Sequence, residues 1–128
     1  MADLCLRDPS VIDLNTLENL ANNLASAGRI DAIENIKNSK IYVQNGASDP
    51  DILQDVAIKA AELYQRFGAD LKTEFELDTG HGLPTVDFGQ NCRTGLGILK
   101  CDYDGAKIVL THLLGDLKNS TDMVPENT

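Results

Sequence analysis

Basic residues are scarce in this 128-residue chain: 11 Lys and Arg stand against 20 Asp and Glu, a net charge of −9. Such a surface repels phosphate, so neither nucleic acid nor an anionic membrane is an expected partner. No apolar run approaches the ~18–20 residues of a membrane helix. Met1-Ala2-Asp3-Leu4 has neither a basic stretch nor an apolar one, so no signal peptide is expected from this N-terminus. Two His and 3 dispersed Cys provide no zinc spacing, and no metal is expected. There is no phosphate-cradling glycine loop. Asp102-Tyr103-Asp104-Gly105 lacks the rest of a calcium loop. Internal repeats and low-complexity tracts are absent too. What remains is a chain of one-domain length with 42% hydrophobic residues, ordinary for a globular domain.

Periodicity supplies the elements. Leu17, Leu20, Ala21 and Leu24 form one helical stripe, predicting a helix from about Asn15 to Ala27 with Asn15 as cap and Gly28 as stop. Lys40 to Gln44 reads as a short strand whose continuous run Ile41-Tyr42-Val43 suits burial on both faces. A second helix is predicted over roughly Asp51 to Phe67, ended by Gly68. Leu71 to Leu77 alternates, as a strand with one wet face does. Asp78 to Lys100 reads as a Gly-rich loop, and a last helix from about Tyr103 to Leu117 should bury Ala106, Leu110, Leu113, Leu114 and Leu117. The polar tail from Lys118 to Thr128 is expected to fray. The order implies an α/β fold with a parallel strand pair joined by a crossover helix. Two parallel strands make a very small sheet, and the pattern looks like the end of a larger one.

Two residues follow the carboxyl ends of these strands, where ligands bind in open α/β sheets. Asp49 lies in Gly46-Ala47-Ser48-Asp49-Pro50, and His81 lies in Gly80-His81-Gly82-Leu83-Pro84. Each has a plain structural reading. Asp before Pro is a favoured helix cap, and a His between glycines suits a turn. His112, within the last helix, reads as a ring that packs or faces solvent. The pair says more than either member. A carboxylate beside an imidazole fixes its tautomer and stabilises the imidazolium formed when the other nitrogen takes a proton. The order Asp then His, 32 residues apart across a crossover helix, fits the end of an α/β-hydrolase, whose triad runs Ser, Asp, His. The Gly-x-Ser-x-Gly nucleophile elbow is missing: Ser10, Ser26, Ser39, Ser48 and Ser120 all lack that setting.

Three segments carry a resemblance to a known family. Ile41-Tyr42-Val43-Gln44-Asn45-Gly46-Ala47-Ser48-Asp49 resembles a strand and acid loop, Gly80-His81-Gly82-Leu83-Pro84-Thr85 a Gly-His-x-x-Pro-Thr loop, and Cys101-Asp102-Tyr103-Asp104-Gly105-Ala106 a terminal Cys-x-Tyr-Asp-x-Ala helix. All three are similar to the C-terminal part of secreted polyhydroxybutyrate depolymerase-like esterases of the α/β-hydrolase fold. The resemblance implies Asp49 as triad acid, His81 as triad base, no cofactor, an extracellular setting, and hydrolysis of short-chain hydroxyalkanoate or other carboxylic esters. It also implies a partial hydrolase domain over residues 1–117, inactive alone without its serine and oxyanion segment. Cys92 and Cys101 bracket nine residue steps and are candidates for a disulfide, which leaves Cys5 without a partner. A missing upstream region would account for both the odd cysteine and the absent signal. The alternative from another class is a non-catalytic remnant that binds a partner chain through its open sheet edge.

Overall fold

The computed structural model describes residues 5, 6 and 8–117; the tail expected to fray lies outside them. The first helix, α1 (Leu14–Ser26), starts one residue earlier than its stripe suggests. Asp13, not Asn15, is its cap: the Asp13 carboxylate accepts the Asn15 N–H at 2.9 Å and the Thr16 hydroxyl at 2.7 Å. Gly28 follows it in the left-handed region, φ 67°. Strand β1 (Lys40–Gln44) has the bounds the apolar run predicts. Helix α2 (Gln54–Arg66) follows, and Gly68 terminates it at φ 79°. Strand β2 (Asp70–Glu74) then pairs parallel with β1, Lys40 opposite Asp70 and Gln44 opposite Glu74. This is the expected crossover unit, with α2 against both strands and α1 against α2.

The segment read as a Gly-rich loop contains three strands: β3 (His81–Thr85), β4 (Gln90–Asn91) and β5 (Leu96–Lys100). They form a second parallel sheet in the order β3-β5-β4. Periodicity missed them because His81-Gly82-Leu83-Pro84-Thr85 carries a Gly and a Pro, residues depleted from strands. The partner strand decides the matter instead. Leu99 and Pro84 face each other in register and both are fully buried. Gly82 lies opposite Gly97, where a Cβ on Gly82 would overlap the Gly97 backbone.

Cys92 and Cys101 are disulfide-bonded, with Cα atoms 4.8 Å apart. They occupy the next rung after Asn91 opposite Lys100, so the bond staples β4 to β5 where the ladder ends. Cys5 is free and exposed. In the chain-entropy model a loop this short contributes about 2–3 kcal/mol. Reduction should therefore lower the urea midpoint of the chain, and an unchanged midpoint would remove the disulfide from the stabilising contacts.

The last helix, α3 (Gly105–Leu114), packs on β1 and β3 and so joins the two sheets. It does so on a different face from the one expected. Ala106, Leu110, Leu113, Leu114 and Leu117 are exposed, Leu114 to 72%, while Gly105, Ile108, Val109 and His112 turn inward. The helix is apolar around most of its circumference, so its pattern does not choose a face. His112 does: its Nε2 lies 3.0 Å from the Ile41 carbonyl oxygen and 3.1 Å from that of Asp70. Among the described residues, Leu14 and Leu99 are the large aliphatic side chains nearly or wholly removed from solvent, at 5% and 0% exposure.

Candidate active site

Beyond Gln44 and Glu74 the regular ladder stops, but the two chains stay together. The Asn45 N–H donates to the Glu74 carbonyl, Ala47 N–H to Leu77 and Ser48 N–H to Thr79, at 3.0–3.2 Å. This continuation requires Gly46, because a Cβ there would overlap the Thr79 carbonyl oxygen. It carries the acid loop alongside residues 77–80, and the next residue is His81.

The structure brings Asp49 and His81 together. His81 Nδ1 lies 2.9 Å from Asp49 Oδ2, and Nδ1–H donates to the carboxylate in the neutral tautomer this geometry favours. The Asp49 side chain is buried at 4% exposure, whereas the His81 ring is 45% exposed. His81 Nε2 has no hydrogen-bond partner among the described residues, and the ring borders an open cleft of about 300 Å³ that Gln44, Asn45, Ile52 and Leu83 also line. Asp49 acts as a cap as well. Its Oδ1 accepts the N–H groups of Asp51 at 2.9 Å and Ile52 at 3.0 Å. It closes a turn ahead of α2 rather than opening the helix, which begins only at Gln54. The capping and pairing readings therefore coexist, one on each carboxylate oxygen.

Burial pushes the Asp49 carboxyl up, but hydrogen bonds from Ile52 N–H, His81 and Asp51 N–H, with the His81 charge, outweigh it and hold the group below the usual 3.8. The hydrogen bond to Asp49 raises His81 above the usual 6.5; partial burial opposes this, and the charges of Asp49 and Asp51 add to it. The depressed carboxyl contributes stability above pH 3.8, lost as pH falls through its folded value. The raised imidazole contributes fully below pH 6.5, and that is lost as pH rises through its folded value. The stability advantage of the chain over its His81→Ala variant should thus be larger at pH 5 than at pH 9. Equal advantages in urea unfolding at the two pH values would show that the pair carries no such linkage.

Two neighbours escaped the sequence reading. Asn45 Nδ2 donates to Asp49 Oδ2 at 3.0 Å. Gln54 Nε2 donates to the carbonyls of Asn45 at 3.3 Å and Phe75 at 2.7 Å, tying the ends of the two strands together. The local signal was present for Asn45, one residue past the strand and four before the acid, but Asn is common in loops and the contact is decided in three dimensions. Ser48 donates to Asp78 and accepts from Arg93 Nε at 3.0 Å, while Arg93 pairs with Asp78 at 3.3 Å. This exposed bridge ties the acid loop to the disulfide-closed loop. The glycines flanking His81 have a packing role. They let backbone approach: a Cβ on Gly80 would come within 2.5 Å of the Gly95 carbonyl oxygen. Ligand atoms of Asp49, Asp51 and His81 lie within 4.8 Å of one another, the one metal-competent grouping among the described residues. His81 Nδ1 and Asp49 Oδ2 are already engaged with each other there.

Comparison with known proteins bears on this arrangement. No protein-family model matches the chain. A poly(3-hydroxybutyrate) depolymerase of Delftia acidovorans is 32% identical over 117 residues, which cover 88% of this chain and 24% of that protein. The chain is related to the poly(3-hydroxybutyrate) depolymerases. The crystal structure of the PHB depolymerase from Penicillium funiculosum superposes with a TM-score of 0.73 at 24% identity, covering 84% of this chain and 36% of that one. A PHB depolymerase complexed with R3HB trimer matches at a TM-score of 0.72 and 24% identity, over 83% of this chain and 35% of that one. The fold class is accordingly α/β-hydrolase-like, built here from short parallel strands with crossover and flanking helices. The chain spans about a quarter of the curated relative's length and about a third of each solved chain.

Proposed function

We propose that this chain is the acid- and base-bearing portion of a secreted serine esterase, a partial α/β-hydrolase domain over residues 1–117 with the polar tail beyond it. The observation that carries the reading is the 2.9 Å contact between His81 Nδ1 and the buried Asp49 carboxylate, with His81 Nε2 left free beside the cleft. In the completed esterase Nε2 takes the proton of a serine hydroxyl supplied by the remaining polypeptide. The serine oxygen bonds to the ester carbonyl, and the alcohol leaves with the proton held on the imidazolium. A water, deprotonated by the same nitrogen, then releases the acid and restores the serine. Asp49 stabilises the imidazolium through both half-reactions. The substrates are carboxylic esters of the short-chain hydroxyalkanoate class, and no cofactor takes part. The Cys92–Cys101 disulfide supports an oxidising, extracellular compartment.

The open edges of the β1–β2 sheet and the exposed leucines of α3 favour a chain that docks against further polypeptide. A non-catalytic remnant that uses the same edge to bind a partner is the competing reading. One assay separates them. The chain alone should not hydrolyse a soluble short-chain ester, and adding a polypeptide that carries a Gly-x-Ser-x-Gly nucleophile elbow should restore turnover. Efficient, His81-dependent hydrolysis by the isolated chain would overturn the partial-domain assignment. Stable complex formation without turnover would favour the remnant.

A further inference from the structure

We propose that Asn45 is a positioning residue, whose carboxamide holds the Asp49 carboxylate in line with the His81 ring. This deepens the esterase reading and rests on Asp49 and His81 acting as an acid–base pair. Asp49 has two anchors on Oδ1, the N–H groups of Asp51 and Ile52, and two on Oδ2, His81 and Asn45. The Oδ1 anchors belong to one turn and leave the carboxylate free to tilt about that edge. The His81 anchor is a ring 45% exposed to solvent. Asn45 is the one partner of Oδ2 that is itself buried, at 7% exposure.

Asn45 is also fixed where it stands. Its N–H donates to the Glu74 carbonyl as the first contact beyond the β1–β2 ladder. Its carbonyl accepts from Gln54 Nε2, and its Nδ2 reaches the Ile52 carbonyl at 3.4 Å besides Asp49. The amide orientation follows from Asp49, because the reversed amide would set its oxygen against the carboxylate. That orientation leaves Asn45 Oδ1 buried with no partner. An orphan acceptor costs stability, so a residue selected for the fold alone has no reason to keep it. A neutral donor suits the task, since it orients the carboxylate without neutralising the charge that stabilises the imidazolium.

The test is a titration of His81 by NMR in the full chain, comparing wild type with Asn45→Ala and Gln54→Ala. Gln54→Ala loosens the same strand ends without touching the carboxylate. Asn45→Ala should lower the proton affinity of His81 about threefold, toward that of a free imidazole, and Gln54→Ala should leave it nearly unchanged. Asn45→Ser, too short to reach Asp49, makes the same comparison if the alanine variant does not fold. An unchanged or increased affinity in both Asn45 variants overturns the proposal, as does an equal fall in Gln54→Ala. In the completed esterase Asn45→Ala should lower kcat about tenfold, with a smaller change in KM. Because the titration needs no turnover, failure of the esterase reading would show as absent hydrolysis beside an intact Asn45 effect.

Discussion

Replacing His81 by Ala in the completed esterase is expected to lower kcat on the order of 10⁴- to 10⁶-fold, with far less change in KM. The reasoning is geometric. His81 is the one described histidine beside the cleft; the other, His112, contacts backbone carbonyls of both β1 and β2. No other described imidazole is therefore placed to accept the serine proton. Asp49→Asn should cost less than His81→Ala, on the order of 10⁴-fold, because the ring remains while its tautomer and charge stabilisation are lost. The measurement is initial rate against a soluble short-chain ester, with folding of each variant checked by far-UV circular dichroism. Turnover surviving both substitutions would dismiss this pair as the acid and base of the reaction.

Gly46→Ala should be among the most damaging single-methyl changes in the described chain. The added Cβ would overlap the Thr79 carbonyl oxygen and lie 2.6 Å from its carbonyl carbon. Both are backbone atoms, so no side-chain rotation relieves the clash. The acid loop must instead move away from residues 77–80, which breaks the Ala47–Leu77 and Ser48–Thr79 hydrogen bonds. A loss of about 3 kcal/mol is expected, at the upper end for overpacking. Moving the loop also draws Asp49 away from His81, so the imidazole should titrate like an ordinary histidine in any Gly46→Ala chain that still folds. Thr79→Ala should not rescue it, since the nearest obstruction is the carbonyl oxygen. Rescue would place the conflict at the Thr79 side chain instead and defeat the account of how the loop is held.

Local chemistry explains which features were legible beforehand. The run Ile41-Tyr42-Val43 marks β1 because a short apolar run bounded by turn residues suits a strand, although its three side chains are half-buried rather than buried on both faces. Gly28 and Gly68 mark helix ends because each takes a positive φ. Asp49 and His81 were legible as a pair because each comes after a strand of the crossover unit, although the structure ends the second strand at Glu74 and has His81 open β3. The three strands of the second sheet were not, because Gly82 and Pro84 erase the periodic signal and pairing with β5 replaces it. The face of α3 was misjudged for a related reason. Leu110, Leu113 and Leu114 make a convincing stripe, yet His112, bonded to β1 and β2 carbonyls, sets the rotation of the helix. Asn45 went unnoticed since nothing in an Asn beside a Gly announces a hydrogen bond to a carboxylate four residues on.

By itself, then, the order of residues determined the parallel crossover unit, the stops of its helices, and the placing of one acid and one imidazole after neighbouring strands. These depend on periodicity, glycine φ and strand order, all properties of short stretches. Only the tertiary structure decided the 2.9 Å approach of Asp49 to His81, the burial of one and exposure of the other, and the Asn45 contact behind them. Those depend on Gly46 meeting Thr79 and on β3 meeting β5, contacts between segments far apart in the chain that no local pattern encodes.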